Sequence, residues 1–310
     1  MKIYKVLYVS AILMWSTNIA AQTTALPGDV DGDGTLTRKD IAILSKGIIG
    51  KVNSYANPQA TDFNNNGKTD IEDLTLLIDA ILHPITGENN GHEWVDLGLS
   101  VKWATCNVGA SSPEEYGDYY AWGETTTKSS YTWSNYLSSK GGTITNWNDC
   151  GTSKDPLRYY VYPYESSIAG TMLDVAYRLW RGDWRMPTFN EQTELRKNCY
   201  WQWTNNYKGT RKAGYIIYKV KAEADRGKYS YGYTAPIATY TLSDTHIFLP
   251  ASGYRSGSTL YNDGNAGYYW SADPTTGSAA DVFTLHFDSS FVLWLSYFRN
   301  DGYSVRPVTE

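Results

Sequence analysis

Cysteine and histidine are scarce here, with three Cys and four His in 310 residues. Cys106, Cys150 and Cys199 are odd in number and cannot all pair within one chain. No Cys-x-x-Cys and no His/Cys cluster at zinc spacing occurs, which excludes a zinc-centred fold. If a disulfide forms, Cys106 with Cys199 is the preferred pair; two buried free thiols are the alternative, because Cys also serves as a small core hydrophobe. Also missing are a Gly-x-Ser-x-Gly elbow and a phosphate-binding loop, which counts against hydrolase and nucleotide chemistry. Positive charge is not in excess: the net charge is -5, which argues against a nucleic-acid partner or an anionic membrane surface. Long apolar runs are absent except at residues 6–15, too short for the roughly 20 residues of a membrane span. That run follows Lys2 and Lys5 and precedes Ala20 and Ala21, the three-part pattern of a secretory signal peptide over residues 1–21. The expectation is a secreted or cell-surface protein with no membrane span, and no Cys follows closely enough to suggest a lipid anchor.

The remainder divides in two by composition. Residues 22–90 hold ten acidic and five basic side chains, whereas from Gly91 onward 22 acids face 20 bases. Eleven of the 12 Trp and 24 of the 27 Tyr also lie beyond residue 90. Between the halves stands His83-Pro84 followed by a polar stretch, so residues 84–91 read as a linker between modules at 28–83 and 92–310.

In the acidic module Asp29, Asp31 and Asp33 alternate, Gly34 follows, and Asp40 closes a window of twelve. Carboxylates thus fall at positions 1, 3, 5 and 12, the hard-oxygen arrangement that calcium requires. Gly34 permits the sharp turn at position 6, the Thr35 carbonyl can serve position 7, and Thr37 can act at position 9 through its hydroxyl or a water. The pattern recurs 33 residues later as Asp62, Asn64, Asn66, Gly67, the Lys68 carbonyl, Asp70 and Asp73. A plain Asx-rich turn would need neither the second copy nor the acid at position 12. Two calcium ions are expected. Each loop runs into an amphipathic helix, with Ile41, Leu44, Ile48 and Ile49 after the first and Leu74, Leu77, Ile78, Ile81 and Leu82 after the second.

Position 12 is Asp rather than the Glu of an EF-hand, and no helix precedes either loop. The combination resembles the type I dockerin family, whose paired loop-helix repeats join other modules to cohesin domains. The resemblance implies a small all-α module, stabilised by calcium, with recognition residues at loop positions 10 and 11. Here these are Arg38-Lys39 and Ile71-Glu72, so the repeats differ, and Thr69 stands where the family usually has an aliphatic residue. A cohesin partner and a calcium-rigidified spacer are both open.

Beyond residue 91 short apolar runs are separated by Gly, Asn, Ser and Asp turns. Strands are expected at 93–96, 101–104, 214–222, 245–249, 268–272, 282–288, 291–298 and 303–308. Two helices interrupt them. One spans 168–180, with Ile168, Met172, Val175, Ala176 and Leu179 on one face; the other starts at Thr188, with Glu191 completing a capping box, and runs towards Cys199. An α+β fold with a mostly antiparallel sheet follows.

The segments VDLGLSVKWATCNVGA, YGDYYAWGET, WRGDWRMPTFNE, IFLPASGYR, GYYWSA and GYSVRPV give this part a resemblance to the Fibrobacter succinogenes major paralogous domain family. That family is placed with the C-type-lectin-like fold, related to formylglycine-generating enzymes and to diversified ligand-binding proteins. The fold so implied has two helices on a twisted sheet, close termini and a long loop region for binding. The related enzymes use a cysteine pair near the C-terminal end, which this chain lacks, so that activity is not expected. Glu114-Glu115 and Glu191 with Glu194 could serve acid-base work, but a solvated turn and a helix cap explain them better. No enzyme activity is expected.

For binding, the resemblance points to the segment before SVRPV and makes Leu293, Leu295, Tyr297 and Asn300 candidates, with Tyr254 and Arg255 from a neighbouring loop. The run 291–298 is apolar or aromatic at almost every position. Either one face is open for recognition or the strand is buried on both sides. Tyr-rich stretches at 158–164 and 229–240 could stack on sugars or pave the fold. Trp184, Arg185 and Pro187 read as structural. The leading expectation is a secreted binding or adhesion protein for a glycan or protein ligand. Alternatives are a subunit of a polysaccharide-degrading assembly recruited through cohesin, and a structural surface protein.

Overall fold

The computed structural model describes residues 26–52, 54–82, 85–137, 139, 142–143, 167–229, 235–275 and 278–310. The chain falls into two compact units, Met1–His83 and Pro84–Glu310. The expected signal segment and the tyrosines at 158–164 lie outside the described residues.

In the first unit, α1 (Arg38–Ile48) and α2 (Ile71–Leu82) each follow a loop, and a 3-10 turn (Pro58–Ala60) separates the repeats. Thr37 caps α1 in a capping box with Asp40. Leu44 and Leu77, one from each helix, are fully buried with Val30, and Ile41, Ile48, Phe63, Leu74 and Ile81 pack around them. This core is small for an independent unit. Gly28, at φ +85°, sits where a Cβ would come within 2.6 Å of Leu77 and 2.8 Å of Phe63.

The second unit is α+β with antiparallel ladders. β1 (Thr86–Asn89), β2 (His92–Val95), β3 (Lys102–Ala104) and β12 (Val308–Thr309) form one sheet in the order β1-β2-β3-β12. The stretch read as a linker therefore contains a strand. Asn90 and Gly91 both have positive φ, the requirement of a tight two-residue hairpin turn that pairs β1 with β2. Asn89 Nδ2 donates to Thr309 Oγ1 at 2.8 Å, so the two ends of this unit meet.

A second sheet joins β4 (Cys199–Thr204), β5 (Gly214–Lys219) and β6 (His246–Pro250) in that order. β7 (Tyr254–Ser256) and β8 (Thr259–Tyr261) make a hairpin, and β9 (Ala266–Pro274), β10 (Asp281–Asp288) and β11 (Phe291–Phe298) form the third sheet. The expected strand at 303–308 survives only as β12; Tyr303 and Ser304 make isolated bridges instead.

Helix α3 (Val175–Trp180) is shorter than the expected 168–180. Asp174 is the reason. Its buried carboxylate accepts the amides of Ala176 and Tyr177 as a cap, and also those of Gly170 and Met186, so the chain before it is a turn. Met172 and Leu179, placed on the apolar face by periodicity, are exposed. Helix α4 (Phe189–Asn198) starts at Thr188 with the expected Glu191 box.

Glu191 also pairs with Arg185, which joins the fully buried Trp184 in holding the α3–α4 connection. Of the other carboxylates weighed for acid-base work, Glu115 holds a turn by accepting the amide of Ser111, and Glu194 accepts that of the distant Ser100. The expected pair Cys106–Cys199 does not form. Both are free thiols, and Cys199 faces the core beside Trp103, Trp201 and Ile217. Burial pushes its thiol up to about 12. Cys150 lies outside the described residues.

Two buried ions organise loops in this unit. Arg306 is almost wholly buried and donates to Asn107 Oδ1 at 2.9 Å and to the carbonyls of Ala104 at 3.1 Å, Thr105 at 2.9 Å and Phe248 at 2.9 Å. Arg306→Met leaves these acceptors unpaired, and an unfolding free energy lower by about 3 kcal/mol or more is expected in a denaturant titration. Asp225 accepts the amides of Ile237 and Ala238, the Tyr240 hydroxyl and the Lys228 ammonium. Burial alone would raise its pKa, but these donors outweigh it and hold the carboxyl at about 2. A depressed carboxyl contributes stability above the ordinary range near pH 4 and loses it as pH falls towards 2. Melting curves of Asp225→Asn should therefore lie below those of the wild type at pH 7 and converge with them towards pH 2.

Candidate metal centre and ligand surface

Each loop folds around its own carboxylates. Asp29 accepts the amides of Asp33 at 3.1 Å and Gly34 at 3.0 Å; 33 residues on, Asp62 accepts those of Asn66 at 3.0 Å and Gly67 at 2.7 Å. Gly34 and Gly67 have φ +88° and +85°, the left-handed backbone that brings these amides round. At the closing position Asp40 Oδ1 takes the amides of Val30 and Asp31 at 2.9 and 3.2 Å, while Oδ2 takes that of Thr37 at 2.9 Å. Asp73 repeats this with Phe63, Asn64 and Asp70 at 2.9, 3.2 and 2.8 Å. Asp40 and Asp73 are both fully buried.

The remaining candidates fill matching roles. Asp31 and Asn64 accept the amides of Asp33 and Asn66; Asp33 and Asn66 accept those of Thr35 and Lys68. Thr37 and Asp70, at position 9, bind the amides of Lys39 and Glu72 and so open the helices. Thr69, the departure from the family pattern, shares a hydrogen bond of 2.7 Å with Thr61, which gives its hydroxyl a role where Leu36 packs in the first repeat.

Oxygens of Asp29, Asp31 and Asp40 lie within 4.8 Å of one another. Asp31 Oδ2 is buried without a well-directed hydrogen bond, and the Lys39 ammonium at 2.6 Å compensates it. That ammonium holds the Asp31 carboxyl below its ordinary range. Three convergent carboxylates supply the hard oxygens that a divalent cation of the calcium type takes. In the second loop amide oxygens of Asn64 and Asn66 stand for two of the carboxylates, so it carries less negative charge.

Residues 27–82 match the type I dockerin domain family. Dockerin domains bind calcium and cohesins. Residues 191–308, from the first turn of α4 to β12, match Domain of unknown function (DUF8237), whose description names no activity. No curated protein and no solved structure matches the chain.

In the second unit β11 answers the question left by its composition. Val292 is buried, whereas Leu293 and Leu295 are 47% and 40% exposed. Both faces are therefore covered only in part: Val292 and Trp294 pack inward on one and Tyr297 on the other, while Phe298 on the first is 52% exposed. Tyr297 meets Tyr268 at 5.5 Å between ring centres, and Tyr254 meets Tyr268 at 4.7 Å. The fold therefore brings Tyr254, Leu293, Leu295 and Tyr297 to one region.

Two candidates do not join them. Asn300 is only 5% exposed, and its amide nitrogen points to the Tyr131 carbonyl and Asp301. Arg255 follows Tyr254 on β7, and alternation sends it to the other face, where its guanidinium lies 5.3 Å from the Tyr119 ring centre.

His286 was not among the candidates. It stacks on Tyr268 at 4.2 Å and shares a 2.9 Å hydrogen bond through Nδ1 with the Tyr297 hydroxyl. Burial lowers the pKa of His286 and raises that of Tyr297 to about 12, so both are neutral at pH 7. A signal for it existed: the two-residue turn Ser289-Ser290 fixes the register that pairs His286 with Leu293. Of the tyrosines at 229–240, residues 230–234 lie outside the described residues; Tyr229 packs under Arg196, and Tyr240 belongs to the Asp225 network.

Calcium at a hundredfold over its dissociation constant should stabilise the first unit by about 2.7 kcal/mol per site. Calorimetry of the full chain is expected to show one transition that chelator lowers and one that it leaves unmoved. Asp40→Ala and Asp73→Ala should each remove part of the calcium response.

Proposed function

We propose that this chain is a non-catalytic subunit of an extracellular assembly. Its first unit, loaded with two calcium ions, docks onto a cohesin partner, and its second unit carries a ligand-binding surface into that assembly. The observation that carries this reading is the repeated loop, in which the hydrogen bonds of Asp29 and Asp40 recur at Asp62 and Asp73 within residues that match the dockerin family. Export through the N-terminal signal segment belongs to the same reading. No helix among the described residues is long and apolar enough to cross a membrane.

A second reading, a surface adhesin with a C-type-lectin-like domain, draws on the second unit. Exposed Leu293 and Leu295 beside Tyr254 and Tyr297 form an apolar and aromatic surface of the kind that recognises sugars or proteins. The meeting of the unit's ends through Asn89 and Thr309 accords with that fold. In this case the calcium module is a spacer.

Two measurements separate the readings. Capture of the full chain by immobilised type I cohesins, present with calcium and abolished by chelator, is expected for the first. A glycan array of the full chain is expected to show binding that Leu295→Ala and Tyr297→Ala each weaken about tenfold; unchanged binding by both variants would rule out the aromatic surface.

A further inference from the structure

The first turn of α1 carries charge of the wrong sign for its place. Arg38 and Lys39 open the helix, where the free backbone amides leave a partial positive charge that favours anions; α2 opens instead with Ile71, Glu72 and Asp73. Lys39 has a compensating contact. Its ammonium lies 2.6 Å from Asp31 Oδ2, a buried oxygen, although the Lys39 side chain is itself exposed. The other oxygen of that carboxylate, Oδ1, accepts the Asp33 amide. Asp31 is also one of the three residues whose carboxylate oxygens lie within 4.8 Å of one another. One carboxylate thus stands between the metal-binding oxygens of Asp29 and Asp40 and a cation tethered to the chain.

The second loop reverses the arrangement. Asn64 stands for Asp31 and Glu72 for Lys39, so neither member of the ion pair is present there. At the ligand positions the first loop has four carboxylates, Asp29, Asp31, Asp33 and Asp40, and the second has three, Asp62, Asp70 and Asp73. With position 11 included the order inverts, to three net negative charges in the first loop and four in the second. In each repeat the residue at position 11 offsets the charge of its own ligand set.

We infer that Lys39 is a built-in counter-ion of the first loop, which competes with calcium for the charge of Asp31 and lowers the calcium affinity of that loop alone. The inference rests on the calcium loading proposed above and concerns how strongly one of the two sites holds its metal. A divalent ion that takes Asp31 as a ligand shares that carboxylate with the ammonium, and two cations drawn to one anion repel each other. Because the ammonium is open to water, the effect is about tenfold in affinity and is screened by salt. Without calcium the same ammonium offsets the mutual repulsion of Asp29, Asp31 and Asp40. Lys39 thus stabilises the metal-free loop more than the metal-bound one, and the difference is expressed as weaker binding.

The test is a calcium titration of the full chain, followed through the amide resonances of Gly34 and Gly67, each of which donates to the first ligand of its loop. Lys39→Gln should raise the affinity read at Gly34 about tenfold in about 10 mM salt, leave that at Gly67 within about twofold, and lose most of the gain in about 1 M salt. Lys39→Arg keeps the charge and should behave as the wild type. Calorimetric melting adds a readout that a merely structural contact would not move: Lys39→Gln should melt below the wild type in chelator, and calcium should narrow that gap. An affinity at Gly34 that is unchanged or falls, a rise shared equally by both glycines, or a gain that persists at high salt overturns the inference and leaves calcium binding intact. A wild-type chain in which neither glycine responds to calcium overturns the calcium reading, and the counter-ion with it. Failure of Lys39→Gln to fold in saturating calcium also contradicts the inference, because a residue that matters most without the ion is dispensable once the ion is bound.

Discussion

Each loop of the first unit closes on a carboxylate withdrawn from water. Asp40 and Asp73 draw in three amides apiece, two from the start of the loop and one from the residue that opens the helix. One group therefore fixes the loop, its junction with the helix and the angle at which that helix delivers Leu44 or Leu77 to the core. A buried charge is tolerated only when hydrogen bonds or a counter-ion compensate it. Amides supply part of that here, and convergence with Asp29 and Asp31 adds negative charge that amides alone do not neutralise. A cation bound at such a loop would add its affinity to the folding free energy of the loop and its small hydrophobic core.

The larger unit solves the reverse problem. Arg306 is a buried cation whose partners are carbonyl and amide oxygens rather than a carboxylate, and it ties the C-terminal segment to β3 and β6. Around it the Trp and Tyr side chains fill two large clusters, with Trp122, Trp184 and Trp270 in one and Trp103, Trp201 and Tyr269 in the other. A core of that size is large enough to support a fold on hydrophobic burial.

Much of this was legible in the sequence where the signal was local and repeated. The calcium ligands follow a fixed spacing, and β11 matches its expected bounds because its apolar run has clear ends at Ser290 and Arg299. Other features depend on contacts distant in the chain. Thr86–Asn89 has no apolar pattern and becomes a strand because β2 pairs with it across Asn90-Gly91. Cys199 read as the end of a helix, yet β5 draws the segment from Cys199 to Thr204 into a ladder. The exposure of β11 was uncertain for the same reason, since burial is decided by what covers the strand. Asn300 shows the limit of carrying a role across by position: its neighbours place it against Tyr131, and nothing in its own identity announces that.

The hairpin that begins the second unit has a weak end and a strong end. Thr86 pairs with Val95 at its open end, next to Ile85, whose carbonyl accepts the Asp96 amide, while Asn89 and His92 pair beside the turn. A pull directed across the strands at the open end would part the ladder one rung at a time, whereas a pull along them would load its hydrogen bonds together. The bond from Asn89 to Thr309 and the indole of Trp184, which donates to the Asn89 carbonyl, stand at the far end, so the turn is the last part of the hairpin that such a crosswise pull would reach.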